Sequence, residues 1–194
     1  MKAVIASRNP HKIEQIRHLL PDLELVSVDD VAPALELAEP FDTFRENALA
    51  KANAVVSATG FPAIADDSGL EVDALGGRPG VLSARFAGEG ATDADNNRKL
   101  VAELAGVPED ALRCRYRCVA VFVAEGGVEL IAHGEVEGRL VLEPRGELGF
   151  GYDPHFVPEG ERRTMGEIPL EEKLRFSHRG KAFRALATKL AQRT

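Results

Sequence analysis

The stretch Ile64-Ala65-Asp66-Asp67-Ser68-Gly69, IADDSG, decides how the chain is read. It is entered through the apolar run FPAIA, Phe61 to Ala65, and left through a small hydroxyl residue and a glycine. An apolar run closing on two carboxylates predicts a buried strand, Ile64 to Asp67. Such a strand delivers charge to its carboxyl-terminal end, where α/β proteins hold their ligands. Adjacent acids disfavour each other's ionisation, and a divalent cation relieves that cost. An Asp-Ser-Gly turn is the plainer alternative.

Working outward from this stretch, the amino-terminal half alternates strand and helix signals. Lys2 to Ala6 is a short apolar run, followed by Asn9 as a helix cap and Pro10 at the favoured first position. Ile13, Ile16, Leu19 and Leu20 keep one helical face apolar. Leu23 to Val28 alternates as a second strand, and Asp29 to Phe41, acidic with two prolines, reads as irregular connection. Thr43 and Glu46 have capping-box spacing at the start of an alanine-rich helix that stops by Gly60. Downstream, Thr92 and Asp95 repeat the capping signal for a helix to about Leu104. Arg113 to Ala124 and Val128 to Val136 are β-rich runs separated by Glu125-Gly126-Gly127, a hairpin signal. Leu170 to Leu174 reads as a helical turn, and Ser177 caps a last helix with Phe183, Leu186, Ala187 and Leu190 on its apolar face. This order predicts a mixed β-sheet with packed helices, an α/β fold of two lobes around a groove, with residues 1–194 as one domain.

Composition bounds the function. The chain has 194 residues, 44% hydrophobic and 28% charged, ordinary for a globular protein. With 24 basic against 31 acidic side chains the formal charge is -7, which argues against a general nucleic-acid coat. Cys114 and Cys118 make neither a disulfide framework nor a four-cysteine metal site. On a strand both point to one face with Tyr116 between them. No apolar run approaches a membrane span, and the amino terminus is too short and polar for a signal peptide, so a cytoplasmic protein is expected.

Several groups can do chemistry. Ser7-Arg8-Asn9-Pro10-His11-Lys12 follows a strand and opens a helix, where backbone N–H groups favour an anion. It lacks the ordinary P-loop pattern, and Asn9 as a mere cap is an equal reading. Glu39, Glu46, Asp66 and Asp67 compete as ligands for Mg2+, which takes oxygen donors and keeps several waters. Glu46 has its capping role as an alternative. In extended backbone Asp66 and Asp67 point opposite ways, so one faces a metal directly and the other acts from behind. Phe150 or Tyr152, in Gly149-Phe150-Gly151-Tyr152-Asp153-Pro154, can stack on a planar base. Lys173, His178 and Arg179 form a basic group. The last two, in the first turn of the final helix, oppose its dipole unless an anion or base carbonyl compensates.

Together these motifs resemble the Ham1/RdgB family of inosine/xanthosine triphosphate pyrophosphatases. The matching segments are SxNxxK at Ser7 to Lys12, FxENAxxKA at Phe44 to Ala52, ADDSGLxVDxLGGxPG at Ala65 to Gly80, SARF from Ser83, GFGYDPxF at Gly149 to Phe156, and EEK…SHRG at Glu171 to Gly180. They run in order along nearly the whole chain. The resemblance implies Mg2+-dependent homodimers with an ITPase-like fold of two lobes and a central cleft, converting dITP, ITP and XTP to monophosphate and pyrophosphate. It implies that Asp67 is the catalytic base and a metal ligand. Glu39 matches the upstream metal carboxylate, although its surroundings, AEPFD, depart from the usual glutamate-threonine-glycine pattern. Ser7, Arg8, Asn9, Pro10, His11, Lys12 and Lys173 match substrate-binding positions, mainly for the phosphates, with Ser7 where threonine is common. Ser68, Phe150, Gly151, Tyr152, Asp153, His178 and Arg179 match nucleoside- and base-binding positions. Donors such as His178 and Arg179 would suit the six-carbonyl of inosine and xanthine. Rival expectations are a pyrophosphatase for modified pyrimidine or canonical nucleotides, and a nucleotide- or RNA-binding module without catalysis.

Overall fold

A computed structural model describes residues 1–192. Its strands form one six-stranded sheet, from edge to edge Glu24–Ser27, Lys2–Ile5, Ala63–Val72, Arg113–Ala124, Val128–Leu140 and Phe156–Pro158. In chain order the elements are β1 (Lys2–Ile5), α1 (Pro10–Leu19), β2 (Glu24–Ser27), α2 (Val28–Val31), α3 (Phe44–Thr59), β3 (Ala63–Val72), α4 (Asp93–Glu103), β4 (Arg113–Ala124), β5 (Val128–Leu140), β6 (Phe156–Pro158), α5 (Leu170–Phe176) and α6 (His178–Ala191). Strand β1 pairs in parallel with β2 and β3, whereas β5 and β6 are antiparallel, so the sheet is mixed as expected.

The chain divides into two compact units. The first comprises Met1–Asp67, Cys118–Gly134 and the segment from Arg179 onward. Its part of the sheet is buried on both faces. Ala3 and Ile5 of β1, Ile64 of β3 and Cys118, Ala120 and Phe122 of β4 pack with Ile16 of α1 and Phe183 and Leu186 of α6. The alternate residues Val4, Ala63, Ala65, Val119, Val121 and Val123 pack with Ala48, Ala52 and Val55 of α3. Helices on both faces require strands that are apolar without interruption, and Val119 to Val123 is such a run.

The second unit comprises Ser68–Arg117 and Glu135–His178. Its sheet has one apolar face, built from Leu70, Val72, Cys114, Tyr116, Val136 and Leu140 with Leu100 and Leu104 around α4. The intervening residues are charged. Arg115 pairs with Asp73 and Glu137 at 2.8 and 2.9 Å, and Arg117 with Glu71 and Glu135 at 3.1 and 2.9 Å. Strand β4 therefore changes pattern at Cys118, from alternation to a continuous apolar run, at the residue where the chain passes between units.

Several elements differ from expectation, among them β6, for which no strand signal is read. Strand β3 does not end at Asp67 but continues to Val72, so the two acids lie inside the strand rather than at its carboxyl end. Strand β5 runs on to Leu140. The acidic connection after β2 opens with a short helix, Val28–Val31, because Ser27 and Asp30 form a reciprocal capping box. The expected helix starts hold elsewhere: Thr43 accepts from the Glu46 amide at α3, the Glu46 carboxylate meeting its hydroxyl rather than its N–H, and Thr92 and Asp95 form the full box at α4; α3 closes at Gly60 in the left-handed region.

Candidate active site

The alternation of β3 separates the two acids. Asp66 shares the face of Ile64, toward α1 and α6, while Asp67 faces α3 with Ala63 and Ala65. Both are buried, at 1% and 3% exposure.

Asp66 lies among cations. Its Oδ2 is 3.3 Å from Lys12 Nζ and accepts from Arg179 Nε at 3.3 Å and Nη2 at 3.1 Å. Arg179 Nη1 in turn donates to Gln15 Oε1 at 2.8 Å. Burial alone would push the Asp66 carboxyl up. Lys12, Arg179 and Lys51 outweigh it and hold the group well below the carboxylate range.

Asp67 has a different setting. Asn47 Nδ2 donates to its Oδ2 at 3.1 Å, and Lys51 Nζ lies 3.9 Å from its Oδ1. The same ammonium pairs with Glu39 and donates to the main-chain oxygen of Asp66 at 2.8 Å. Burial raises the Asp67 carboxyl to about 6, against the opposing pull of Lys51 and Lys12 and with Glu39 adding to the rise. Two neighbouring carboxylates are thus driven in opposite directions, which separates a fixed anion from a group able to take up a proton near neutrality. Asn47 also clasps the Phe41 peptide, accepting from its N–H at 2.9 Å and donating to its carbonyl at 3.0 Å, which anchors the segment carrying Glu39.

The first loop is local structure in part. Asn9 Oδ1 accepts from the amides of His11 and Lys12, and Ser7 Oγ accepts from Asn9 N–H at 3.2 Å. Arg8 is committed to Asp29 at 2.8 Å and to the carbonyls of Pro33 and Leu35. Pro10 and His11 are exposed in the first turn of α1. Glu46 accepts from the Thr43 hydroxyl at 2.6 Å, a local contact at the start of α3. Arg179, expected among the base-binding donors, directs its head at Asp66 and Gln15 and is 2% exposed.

The second unit carries the remaining positions. Asp153 Oδ2 accepts from Lys173 Nζ at 2.8 Å and from Phe150 N–H at 3.3 Å. Gly149 has a φ of +86°, and a Cβ there would overlap the Asp153 carboxylate and the Lys173 ammonium. Asp93 accepts from Gly151 N–H at 2.6 Å, and Asn97 donates to the Gly151 carbonyl at 3.0 Å. Of the two aromatic candidates, Phe150 is half-buried and Tyr152 is a core residue whose hydroxyl donates to the Ser83 carbonyl at 2.8 Å. Tyr152 therefore has no open ring face for a base. His178 lies flat on Tyr116, with centroids 4.6 Å apart and planes 12° from parallel. Ser68 is half-buried on β3.

Sequence reasoning assigned no role to Asn47, Lys51 or Gln15. The available signal was Asn47 and Lys51 four apart beside the apolar face of Ala48, Ala52 and Val55, where polar residues are not expected without partners.

The model of the Ham1 family matches residues 3–189. This chain belongs to the Ham1 family. Among its relatives, the dITP/XTP pyrophosphatase of Frankia alni is 47% identical over 201 residues, covering 99% of this chain and 98% of that one. That of Mycobacterium tuberculosis is 45% identical over 190 residues, covering 95% and 93%. Among solved structures, the Ham1 protein of Staphylococcus aureus superposes with a TM-score of 0.90 at 36% identity over all of both chains. The nucleoside-triphosphatase/dITP/XTP pyrophosphatase of Mycobacterium abscessus does so with 0.78 at 44% identity over 98% and 99%. The mixed sheet with packed helices is thus the Ham1 fold expected from the motifs.

Proposed function

We propose that this chain hydrolyses the non-canonical purine triphosphates dITP, ITP and XTP to monophosphate and pyrophosphate. The observation that carries this reading is the opposed environment of Asp66 and Asp67, found in a chain whose relatives at 45–47% identity bear the name dITP/XTP pyrophosphatase along nearly their whole length. One family model runs through both units, so we take residues 1–194 as a single catalytic domain.

Asp67 is the base. Raised to about 6, it is mostly ionised at pH 7.5 yet basic enough to take a proton from water attacking the α-phosphorus. Asn47 holds its Oδ2, leaving Oδ1 as the oxygen directed toward Lys51. Lys12, fixed by Asp66, offers positive charge for the phosphates from the first turn of α1. We assign Lys173 the same role in the second unit, with Phe150 and His178 for the nucleoside. Preference for a six-carbonyl over a six-amine falls to N–H donors there.

Mg2+ is the expected cofactor. Among the described residues no group of three His, Cys, Asp or Glu side chains is set to hold a metal. Glu39 and Asp67 nevertheless converge on one cation, the Lys51 ammonium. Two carboxylates with phosphate and water oxygens fit magnesium chemistry, so these residues suit the ion. When bound it would supply charge neutralisation on the phosphates and the leaving pyrophosphate. A homodimer in the cytoplasm, without membrane or nucleic-acid partners, completes the reading; no helix among the described residues is long and apolar enough to cross a membrane.

A panel of dITP, ITP, XTP, dGTP and dTTP with Mg2+, read by pyrophosphate release, tests the assignment. Release from the first three and little from the last two is expected. Equal turnover of dTTP, or no release from any, overturns it.

A further inference from the structure

Lys51 has no place in the chemistry described so far, yet its setting is unusual. It is 5% exposed beside the apolar face of α3. Its ammonium contacts Glu39 Oε1 and the Asp66 carbonyl, and stands 3.9 Å from Asp67 Oδ1. Two carboxylates and a carbonyl are the hard oxygens a magnesium ion selects. An ammonium therefore occupies the meeting point of the two acids expected to bind the metal. Without a cation there, two carboxylates in a poorly solvated setting repel, and leaving a buried charge unpaired is strongly destabilising.

We propose that Lys51 is the built-in counter-ion of the metal carboxylates: it holds Glu39 and Asp67 together when no metal is bound and competes with Mg2+ for their oxygens. This rests on the metal assignment above and deepens it. The retained ammonium weakens binding of the bare ion. A triphosphate brings further oxygens and negative charge, which offset the ammonium, so tight metal binding becomes conditional on substrate. Lys51 acts through Glu39 and Asp67 and is a positioning residue.

The test is Mg2+ titration without nucleotide, by calorimetry at pH 8, together with urea unfolding in EDTA and in Mg2+. Lys51→Met is expected to be less stable than wild type in EDTA, to gain more from Mg2+, and to bind Mg2+ on the order of tenfold tighter. Lys51→Arg keeps the charge and should restore the wild-type constant. The double variant Glu39→Gln/Lys51→Met should regain stability in EDTA and gain little from Mg2+. An unchanged or weaker Mg2+ constant in Lys51→Met, with the same stability increment as wild type, overturns the proposal. Should Lys51→Met not fold even with Mg2+, the double variant decides: folding in EDTA supports the counter-ion role, and failure to fold overturns it. Wild-type turnover of dITP separates the two readings. An active wild type with no Lys51 effect on Mg2+ overturns the counter-ion alone. The Lys51 effect without any turnover overturns the activity alone.

Discussion

Asp66 and Asp67 are chemically identical neighbours that should respond oppositely to the same substitution. Asp67 has a folded-state value raised from 3.8 to about 6. Between those values the native state holds more protons than the unfolded chain, so this group's effect on stability becomes less favourable as pH rises through the window. Asp67→Asn should therefore lower dITP turnover by about 10²–10⁴-fold. In EDTA at pH 8 it should match or exceed wild-type stability, by up to about 2–3 kcal/mol. The difference should open between pH 4 and 6 in urea titrations. Near-normal turnover would remove Asp67 from the base role. Asp66 has the reverse sign. Its lowered value means a contribution present above the ordinary carboxylate pKa and lost as pH falls below it. Asp66→Asn leaves Arg179 and Lys12 under-compensated and should cost about 3–5 kcal/mol at pH 7, measured by the same unfolding curves.

At the scale of elements, the 149–153 turn is held by neighbours on both sides. Gly149→Ala introduces strain at positive φ and forces the Asp153–Lys173 pair apart. It should cost about 1–3 kcal/mol of stability and raise the KM for dITP. Unchanged KM in steady-state assays would show that the Lys173 position does not matter to substrate. Tyr152→Phe removes the bond to the Ser83 carbonyl and should cost about 1 kcal/mol with kcat intact. A large fall in kcat would instead place the Tyr152 hydroxyl in the reaction. The helix starts at Thr43 and Thr92 were legible because capping is local, a matter of residues three apart. The continuation of β3 through Asp66 and Asp67 was not. Aspartate is a poor strand former, and two in succession read as an end. They are accommodated by Asn47, Lys51, Lys12 and Arg179, the last 113 residues away in sequence.

Across the whole molecule, patterning separates the two units. Alternating Arg-Cys-Arg-Tyr-Arg in β4 gives a sheet with one wet face, and Val119 to Val123 gives one covered on both. The net charge of -7 predicts that the protein passes through a heparin column at physiological salt, checked by its elution position. Retention there would revive a nucleic-acid role. The sequence by itself determined the main strand and helix runs, the caps at Asn9, Thr43 and Thr92 and the motif set of the Ham1 family, because these depend on periodicity and on contacts between near neighbours. Only the tertiary structure decided that Arg179 serves Asp66, that Tyr152 belongs to the core and that Lys51 stands between Glu39 and Asp67. Desolvation and charge interaction are set by distance through space, and residues far apart in the chain supply the partners.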